Sequence, residues 1–148
     1  MPKCEVTKIA ATTTWGQIER LLRTHGATQV APMSEYDEQT HQLAAVSFCF
    51  TMNVRGTSYP FRFDIPIRLP NRTTDRQRAQ AERTAYRQFY WWLENNLNLV
   101  DAGFVDLERV LLAWIAVLGP EGGTTVGSLM LKAISEGKLQ PALKARNG

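Results

Sequence analysis

Two consecutive segments alternate apolar and polar residues, and no other feature restricts the possible folds as strongly. In residues 43–54 the larger apolar side chains are Val46, Phe48, Phe50 and Met52. In residues 58–69 they are Tyr59, Phe61, Phe63, Ile65 and Ile67. A period of two is typical of strands that bury one face, and the stretch Arg55-Gly56-Thr57 between the segments favours a tight turn. The sequence therefore predicts an antiparallel hairpin with an aromatic inner face.

The second strand of this hairpin also carries two prolines on its polar face. Pro60 and Pro66 have no N–H to donate to a neighbouring strand, so we predict that this strand lies at a sheet edge. A shorter strand is expected at residues 28–33. Residues 34–41, which include three carboxylates, have the composition of a polar loop.

Helical spacing of apolar residues predicts helices on both sides of this sheet. The first helix is expected at residues 14–24, and a long second helix at residues 75–100. Each begins with a threonine followed three residues later by a glutamine, the pattern of a capping box: Thr14 with Gln17, and Thr74 with Gln77. Two more helices are expected, at residues 107–118 and from about residue 125. Glycines suited to end three of these helices are Gly26, Gly103 and Gly137.

Together these elements predict an α+β fold. An N-terminal helix and a small antiparallel sheet are expected to pack against a C-terminal three-helix unit. The 148 residues fall within the usual size of one domain. We therefore expect a single domain, residues 1–148, with a helix-and-sheet half (1–70) and a helical half (71–140).

The sequence also has the features of a cytoplasmic protein. No long apolar stretch follows the first positive charges, as a signal peptide would require. The longest strongly apolar run, residues 110–118, is far shorter than the ~20 residues of a membrane span. The two cysteines, Cys4 and Cys49, are most simply interpreted as reduced thiols. We therefore expect the protein in the cytoplasm and away from membranes.

The usual catalytic patterns are absent from the sequence. No lysine occurs between Lys8 and Lys132, so the middle of the chain has neither a phosphate-binding-loop lysine nor a Schiff-base lysine. The histidines and cysteines lack the paired spacing of zinc ligands. The remaining enzymatic alternative is a site in the polar loop, built from Glu35, Asp37, Glu38 and His41. We predict a protein that is not an enzyme, with no catalytic residues, no metal and no cofactor.

Arginine provides the candidate binding residues. Seven arginines lie between positions 62 and 87, against three acidic residues. At about 100° per residue, Arg76, Arg83 and Arg87 share one line of the long helix, which we expect to face water roughly opposite the apolar side. Trp91 lies beside this line, and two arginines lead into it from the preceding strand. The candidate nucleic-acid- or partner-binding residues are therefore Arg68, Arg72, Arg76, Arg83, Arg87 and Trp91.

Three interpretations of this arginine line remain open. Guanidinium groups beside an exposed indole suit a phosphate backbone with a stacked base, as in DNA or RNA binding. The same groups, or the edge strand at residues 59–67, suit the surface of a partner protein. The third interpretation is a solvated helix face with local ion pairs. Trp91 and Trp92 point about 100° apart, and they are either part of a binding surface or covered by the chain itself.

Three stretches of the chain carry a family resemblance. They are residues 14–27 (TWGQIERLLRTHGA), the helix end Val100-Asp101-Ala102-Gly103, and Thr125-Val126-Gly127-Ser128-Leu129. In these stretches and in its order of elements, the chain resembles an uncharacterised family of small proteins encoded by bacteriophages and prophages. The family has no assigned activity, and the resemblance implies a bacterial host cell as the setting. We therefore expect a non-enzymatic phage-type accessory protein that binds nucleic acid, or alternatively a protein-binding inhibitor or assembly factor acting on a host-defence or phage protein.

Overall fold

A computed structural model describes residues 7–70 and 72–142 of the chain. The described helices are α1 (Ala11–Thr24), α2 (Asp75–Asp101), α3 (Leu107–Leu111) and α4 (Val126–Ser135). The described strands are β1 (Thr28–Tyr36), β2 (Leu43–Val54), β3 (Thr57–Pro66), β4 (Ala116–Gly119) and β5 (Gly122–Thr125). A 3-10 turn, Leu112–Trp114, follows α3. The fold is α+β, as the sequence predicts.

Strands β1, β2 and β3 form an antiparallel sheet with β2 in the centre. The register pairs Phe48 with Phe63 and Phe50 with Phe61, which confirms the predicted hairpin and its aromatic face. Strand β3 lies at an edge of this sheet, as its prolines predict. One isolated bridge, from Phe61 to Ile115, joins it to the chain just before β4. Strand β1 is longer than expected and extends into the predicted polar loop.

The core lies between the inner face of this sheet and the helices α1 and α2. Phe48 of β2 is fully buried and stacks on Phe89 of α2, with ring centroids 4.3 Å apart. Phe63 of β3 packs on Trp92 of α2 at 5.2 Å and on Trp114 at 4.7 Å. These rings connect the sheet to α2 and to the residues that follow α3. Trp92 therefore packs against the core and is not part of an open surface.

The two predicted capping boxes have opposite outcomes. Helix α1 begins before the predicted cap, and its N-cap residue, Ala10, makes no side-chain hydrogen bond. The predicted capping box of Thr14 and Gln17 is therefore not formed, because both residues lie inside the helix. Helix α2 has its predicted box: Thr74 Oγ1 accepts from the Gln77 amide at 3.1 Å, and the Thr74 amide donates to Gln77 Oε1 at 3.0 Å.

The glycines predicted to end helices are confirmed. After α2, Gly103 has a φ of 82°, a value that few other residues adopt at low cost. Its amide donates to the Val100 carbonyl at 3.0 Å, and the Phe104 amide donates to the Leu99 carbonyl at 3.0 Å. This pair of bonds defines a Schellman motif. The same pattern ends α1 and α4, at Gly26 and Gly137.

The predicted helix at residues 107–118 is wrong beyond its first turns. Helix α3 ends at Leu111, and residues 116–119 are strand β4, paired antiparallel with β5. A short apolar run does not distinguish a buried helix from a strand, and the β-branched residues Ile115 and Val117 favour the strand. The turn between the two strands is formed by Pro120 and Glu121. The expected three-helix unit is therefore replaced by α2, the short α3, the β4–β5 hairpin and α4.

Helix α4 approaches the chain before β4 closely at Gly127. A Cβ atom at this position would lie 2.9 Å from the Ala113 carbonyl oxygen. Because that oxygen belongs to the backbone, we expect Gly127→Ala to lower the free energy of unfolding by about 2 kcal/mol. In the matched control Gly16→Ala, no atom lies within 4 Å of the new methyl group, and helix propensity should raise stability by about 0.5–1 kcal/mol. Chemical denaturation measures both changes, and equal effects would contradict the close approach.

Candidate functional site

The predicted arginine line does not face water along its length. Arg87 is only 6% exposed. Its Nη2 donates to Thr14 Oγ1 at 2.8 Å and to Gln17 Oε1 at 3.0 Å, and its guanidinium lies 4.8 Å from the centre of the Tyr90 ring. The two α1 residues predicted to cap their own helix are therefore the acceptors for this arginine. The expectation that Arg87 faces water is wrong.

Arg87 is buried because of the position that the arginine line takes on α2. The buried face of this helix has Tyr86, Phe89 and Leu93 at its centre. The arginine line lies about 100° around the helix from that face, and not opposite it. Helix α1 packs on this flank. Arg83 is half-buried there, and its Nη2 donates to Gln80 Oε1 at 2.6 Å.

Three of the predicted site residues remain open to solvent. Arg68, Arg72 and Arg76 are exposed, and within residues 7–70 and 72–142 none of them has an ion-pair or hydrogen-bond partner. We call these three residues the arginine cluster. Trp91 is half-buried and lies about 22 Å along the helix from Arg76. A base stacked on this indole would therefore not be adjacent to phosphates held by the cluster.

Two carboxylates of the polar-loop alternative, Glu35 and Asp37, take part in separate local interactions. Asp37 Oδ1 accepts the amides of Thr40 and Gln39 at 2.8 Å each, and these bonds hold the pKa of Asp37 below its usual value. Glu35 instead forms an ion pair with Arg62 of β3. Among the described residues, no group of three or more metal-ligating side chains is placed to hold an ion.

The outer face of the sheet carries a compact polar cluster. Arg62 contacts Glu35, and its Nε donates to Asp64 Oδ1 at 2.8 Å. Ser47 is fully buried, and its hydroxyl also donates to Asp64, at 2.5 Å. Burial raises the pKa of the neighbouring Cys49 thiol, which disfavours the reactive thiolate at neutral pH. These charges satisfy one another and do not form an activated nucleophile. Cys4, the other thiol, lies outside the described residues.

A groove of about 840 Å³ separates this outer face from the β4–β5 hairpin. Its walls include Pro60, Arg62 and Asp64 of β3, and opposite them Trp114, Leu118 and Thr124. The groove is open and of mixed polarity, and its charged walls belong to the paired cluster described above. Leu118 at its rim is 89% exposed.

The C-terminal part of the chain carries a group of exposed large apolar side chains. Six large apolar side chains there are between 47% and 89% exposed. They are Leu112, Leu118, Met130, Leu131, Ile134 and Leu139. Met130, Leu131 and Ile134 share one side of α4, and we call these three residues the C-terminal apolar surface. Single exposed leucines are common on soluble proteins, whereas three large apolar side chains on one side of a helix form a contiguous exposed apolar patch.

Helix α4 shows why this surface stays open. Its first turn packs on the 3-10 turn through Gly127, and Leu129 lies against Gly119 of the hairpin. Met130 and Ile134 follow Gly127 on the same side at helical spacing, but they are 47% and 56% exposed. None of the residues of α4 is fully buried. In the sequence, apolar residues on several sides of this helix predict burial, so the pattern alone does not reveal the exposed surface.

No protein-family model, no curated protein and no solved structure matches this chain significantly. In the part of the chain that the structure describes, no helix is both long and apolar enough to span a membrane.

Proposed function

We propose that this chain is a non-enzymatic protein that acts by binding another protein chain through its C-terminal apolar surface. The observation that carries the proposal is the exposure of Met130, Leu131 and Ile134 on a helix with no fully buried residue. Water-exposed apolar area of this kind is removed from solvent at a favourable free energy of about 25 cal/mol per Å² when a partner covers it.

A protein partner fits this surface better than a nucleic acid does. Nucleic-acid binding depends on cations that neutralise phosphates, and the face of Met130 and Ile134 has none. The resemblance to phage-encoded proteins favours a bacterial host cell as the setting, with an inhibitor or an assembly factor as the type of role.

Site-specific photo-crosslinking tests the proposal. A photoreactive phenylalanine analogue in place of Leu131 should form adducts with a protein chain in bacterial cells. Adding Ile134→Glu should abolish those adducts, because a carboxylate cannot be buried in an apolar contact without a large cost. The same analogue in place of Met33, a methionine of similar exposure on β1, is the control and should remain free of adducts. An absence of protein adducts at position 131 would refute the proposal.

A second candidate function, nucleic-acid binding, is favoured by the arginine cluster. Arg68, Arg72 and Arg76 are exposed, and among the described residues Arg78 pairs with the 98% exposed Asp75. Three exposed guanidinium groups can contact about three phosphates. Such binding would be weak, and log K would fall with log salt with a slope of about −2 to −3.

Fluorescence anisotropy with single- and double-stranded oligonucleotides at low salt tests this candidate. The double variant Arg72→Ala/Arg76→Ala should lower the affinity by about tenfold and reduce the salt slope by roughly two. The double variant Arg23→Ala/Arg109→Ala, which removes the same charge from exposed arginines paired to acidic residues, should retain the affinity. Equal loss in both variants would mean that net charge alone, and not the arginine cluster, attracts the oligonucleotide.

A further inference from the structure

We infer that the N-terminus of helix α1, together with Arg83 and Arg87 of α2, forms a binding site for a phosphate group. The inference is independent of the C-terminal apolar surface and of the arginine cluster. Three observations support it. The start of α1 has no side-chain cap, the two arginines beside it have no acidic partner among the described residues, and neutral side chains hold both guanidinium groups in place.

The first turn of α1 has amide donors without acceptors. The N-cap residue, Ala10, makes no side-chain hydrogen bond, and the first turn contains no acidic residue. The amides of Thr13 and Thr14 donate to the Ala10 carbonyl, whereas those of Ala11 and Thr12 have no acceptor within the described part of the chain. Free amides and the partial positive charge of a helix N-terminus together attract an anion.

Contacts on either side place Arg83 beside this helix start. Gln80 Nε2 donates to the Thr7 carbonyl at 2.9 Å, and Arg87 Nη2 donates to Thr14 Oγ1 at 2.8 Å. The first residue of α1 lies between Thr7 and Thr14 in the chain. On α2, Arg83 lies between Gln80 and Arg87 on the same flank, about one turn from each. The start of α1 is therefore next to the turn of α2 that carries Arg83.

The two arginines bring positive charge that the protein leaves uncompensated. Arg87 is 6% exposed and points into the first turn of α1, where it contacts Thr14. The Nε atoms of Arg83 and Arg87 are both buried without a hydrogen-bond partner. A guanidinium group that is removed from water without an acidic partner is costly. An oxyanion at the free amides of α1 would compensate both charges.

Neutral side chains hold the two guanidinium groups in position. Arg83 Nη2 donates to Gln80 Oε1 at 2.6 Å, and Arg87 Nη2 also donates to Gln17 Oε1 at 3.0 Å. These bonds restrict the orientation of each group but cancel none of its charge. Arginine held in this way suits phosphate, because its planar set of donors matches two oxygens of the anion.

The local balance of charge favours a dianion. Residues 7–18 contain one lysine and no acidic residue, and the next acid of α1, Glu19, pairs with Arg23. On α2, Glu82 lies about 100° or more around the helix from both arginines, and Glu94 lies about two turns further along it. Two full charges and a helix end therefore face the site without a nearby acid, and phosphate matches them better than a single carboxylate does.

Amide NMR of the full chain, titrated with sodium phosphate at constant ionic strength, tests the inference. The Ala11 and Thr12 signals should shift and saturate with a Kd of about 1 mM. Arg83→Gln should weaken binding by at least about tenfold, since it removes a charged donor. The control Arg76→Gln removes the same charge from an exposed position of α2 and should retain the affinity. Shifts that do not saturate, or an equal loss in both variants, would overturn the inference.

A capping variant keeps the test independent of any loss of stability. Ala10→Asp supplies the missing cap of α1, so it should raise the melting temperature. Its carboxylate should also occupy the free amides and weaken phosphate binding by at least about tenfold. Unchanged phosphate binding in this variant would place the anion elsewhere and overturn the inference. Methyl phosphate as a second probe separates the sources of the group. Binding of both probes would indicate a phosphate monoester as the ligand, and binding of inorganic phosphate alone would indicate the free ion.

Discussion

Replacement of Arg87 by alanine is expected to lower the free energy of unfolding by about 3 kcal/mol. The substitution removes hydrogen bonds from a charged group to Thr14 and Gln17, each of which contributes about 1.5 kcal/mol or more. It also leaves a cavity between α1 and α2, where the side chain is only 6% exposed. Urea denaturation measures the loss. A loss of this size would support the connection that Arg87 makes between α1 and α2.

Two further variants separate the contributions at this position. Arg87→Met preserves most of the side-chain volume and removes a buried charge that has no carboxylate partner among the described residues. We expect it to cost about 1 kcal/mol less than Arg87→Ala, because the methionine side chain fills most of the cavity while the same two hydrogen bonds are lost. Arg76→Ala, on the exposed part of the same line, should change stability by less than about 0.5 kcal/mol. If Arg87→Ala were as mild as Arg76→Ala, the burial of Arg87 would be contradicted.

Replacement of Phe63 by alanine should have the larger effect, a loss of about 4 kcal/mol. Phe63 is 4% exposed and packs on Phe89 at 5.0 Å, on Trp92 at 5.2 Å and on Trp114 at 4.7 Å. Its removal takes away the ring that joins β3 both to α2 and to the residues before β4. Since domains of this size are stable by only about 5–15 kcal/mol, we expect a large drop in melting temperature.

The matched control is Phe104→Ala. Phe104 is 77% exposed in the turn after α2. Its backbone amide donates to the Leu99 carbonyl, and this bond does not depend on the side chain. We expect this variant to lose less than about 1 kcal/mol. Phe63→Leu, which retains an apolar side chain, should fall between the two alanine variants. Differential scanning calorimetry ranks all three, and a Phe104→Ala loss equal to that of Phe63→Ala would contradict the arrangement of the core.

Local patterns predicted most of the regular elements correctly, because neighbouring residues alone decide them. The pairing of Phe48 with Phe63 follows from a period of two and a tight turn. The Thr74–Gln77 box fixes the start of α2, and Gly103 fixes its end. The helix predicted at residues 107–118 failed because a short apolar run suits a helix and a strand equally, and the choice depends on contacts distant in sequence, such as the bridge between Phe61 and Ile115.

The candidate site was less accessible to sequence reasoning than the fold. The spacing of Arg76, Arg83 and Arg87 places them on one line, but it does not indicate whether another helix packs on that line. The hydrogen-bond acceptors of Arg87, Thr14 and Gln17, are 73 and 70 residues away in sequence. The open surface of α4 presented the converse problem. Apolar residues on several sides of a helix predict burial, and only the folded arrangement reveals that the elements within residues 7–70 and 72–142 leave one side of α4 exposed.

The two methionines Met33 and Met130 allow the most direct test that a partner chain covers the C-terminal apolar surface. They are equally exposed in the single chain, at 46% and 47%, so a soluble paramagnetic agent should broaden both ¹³C-methyl NMR signals equally if no partner is present. We predict that, in isotope-labelled wild-type protein mixed with bacterial cell lysate, the Met130 methyl group is protected and the Met33 methyl group is broadened. Equal broadening of both signals would contradict a partner on α4.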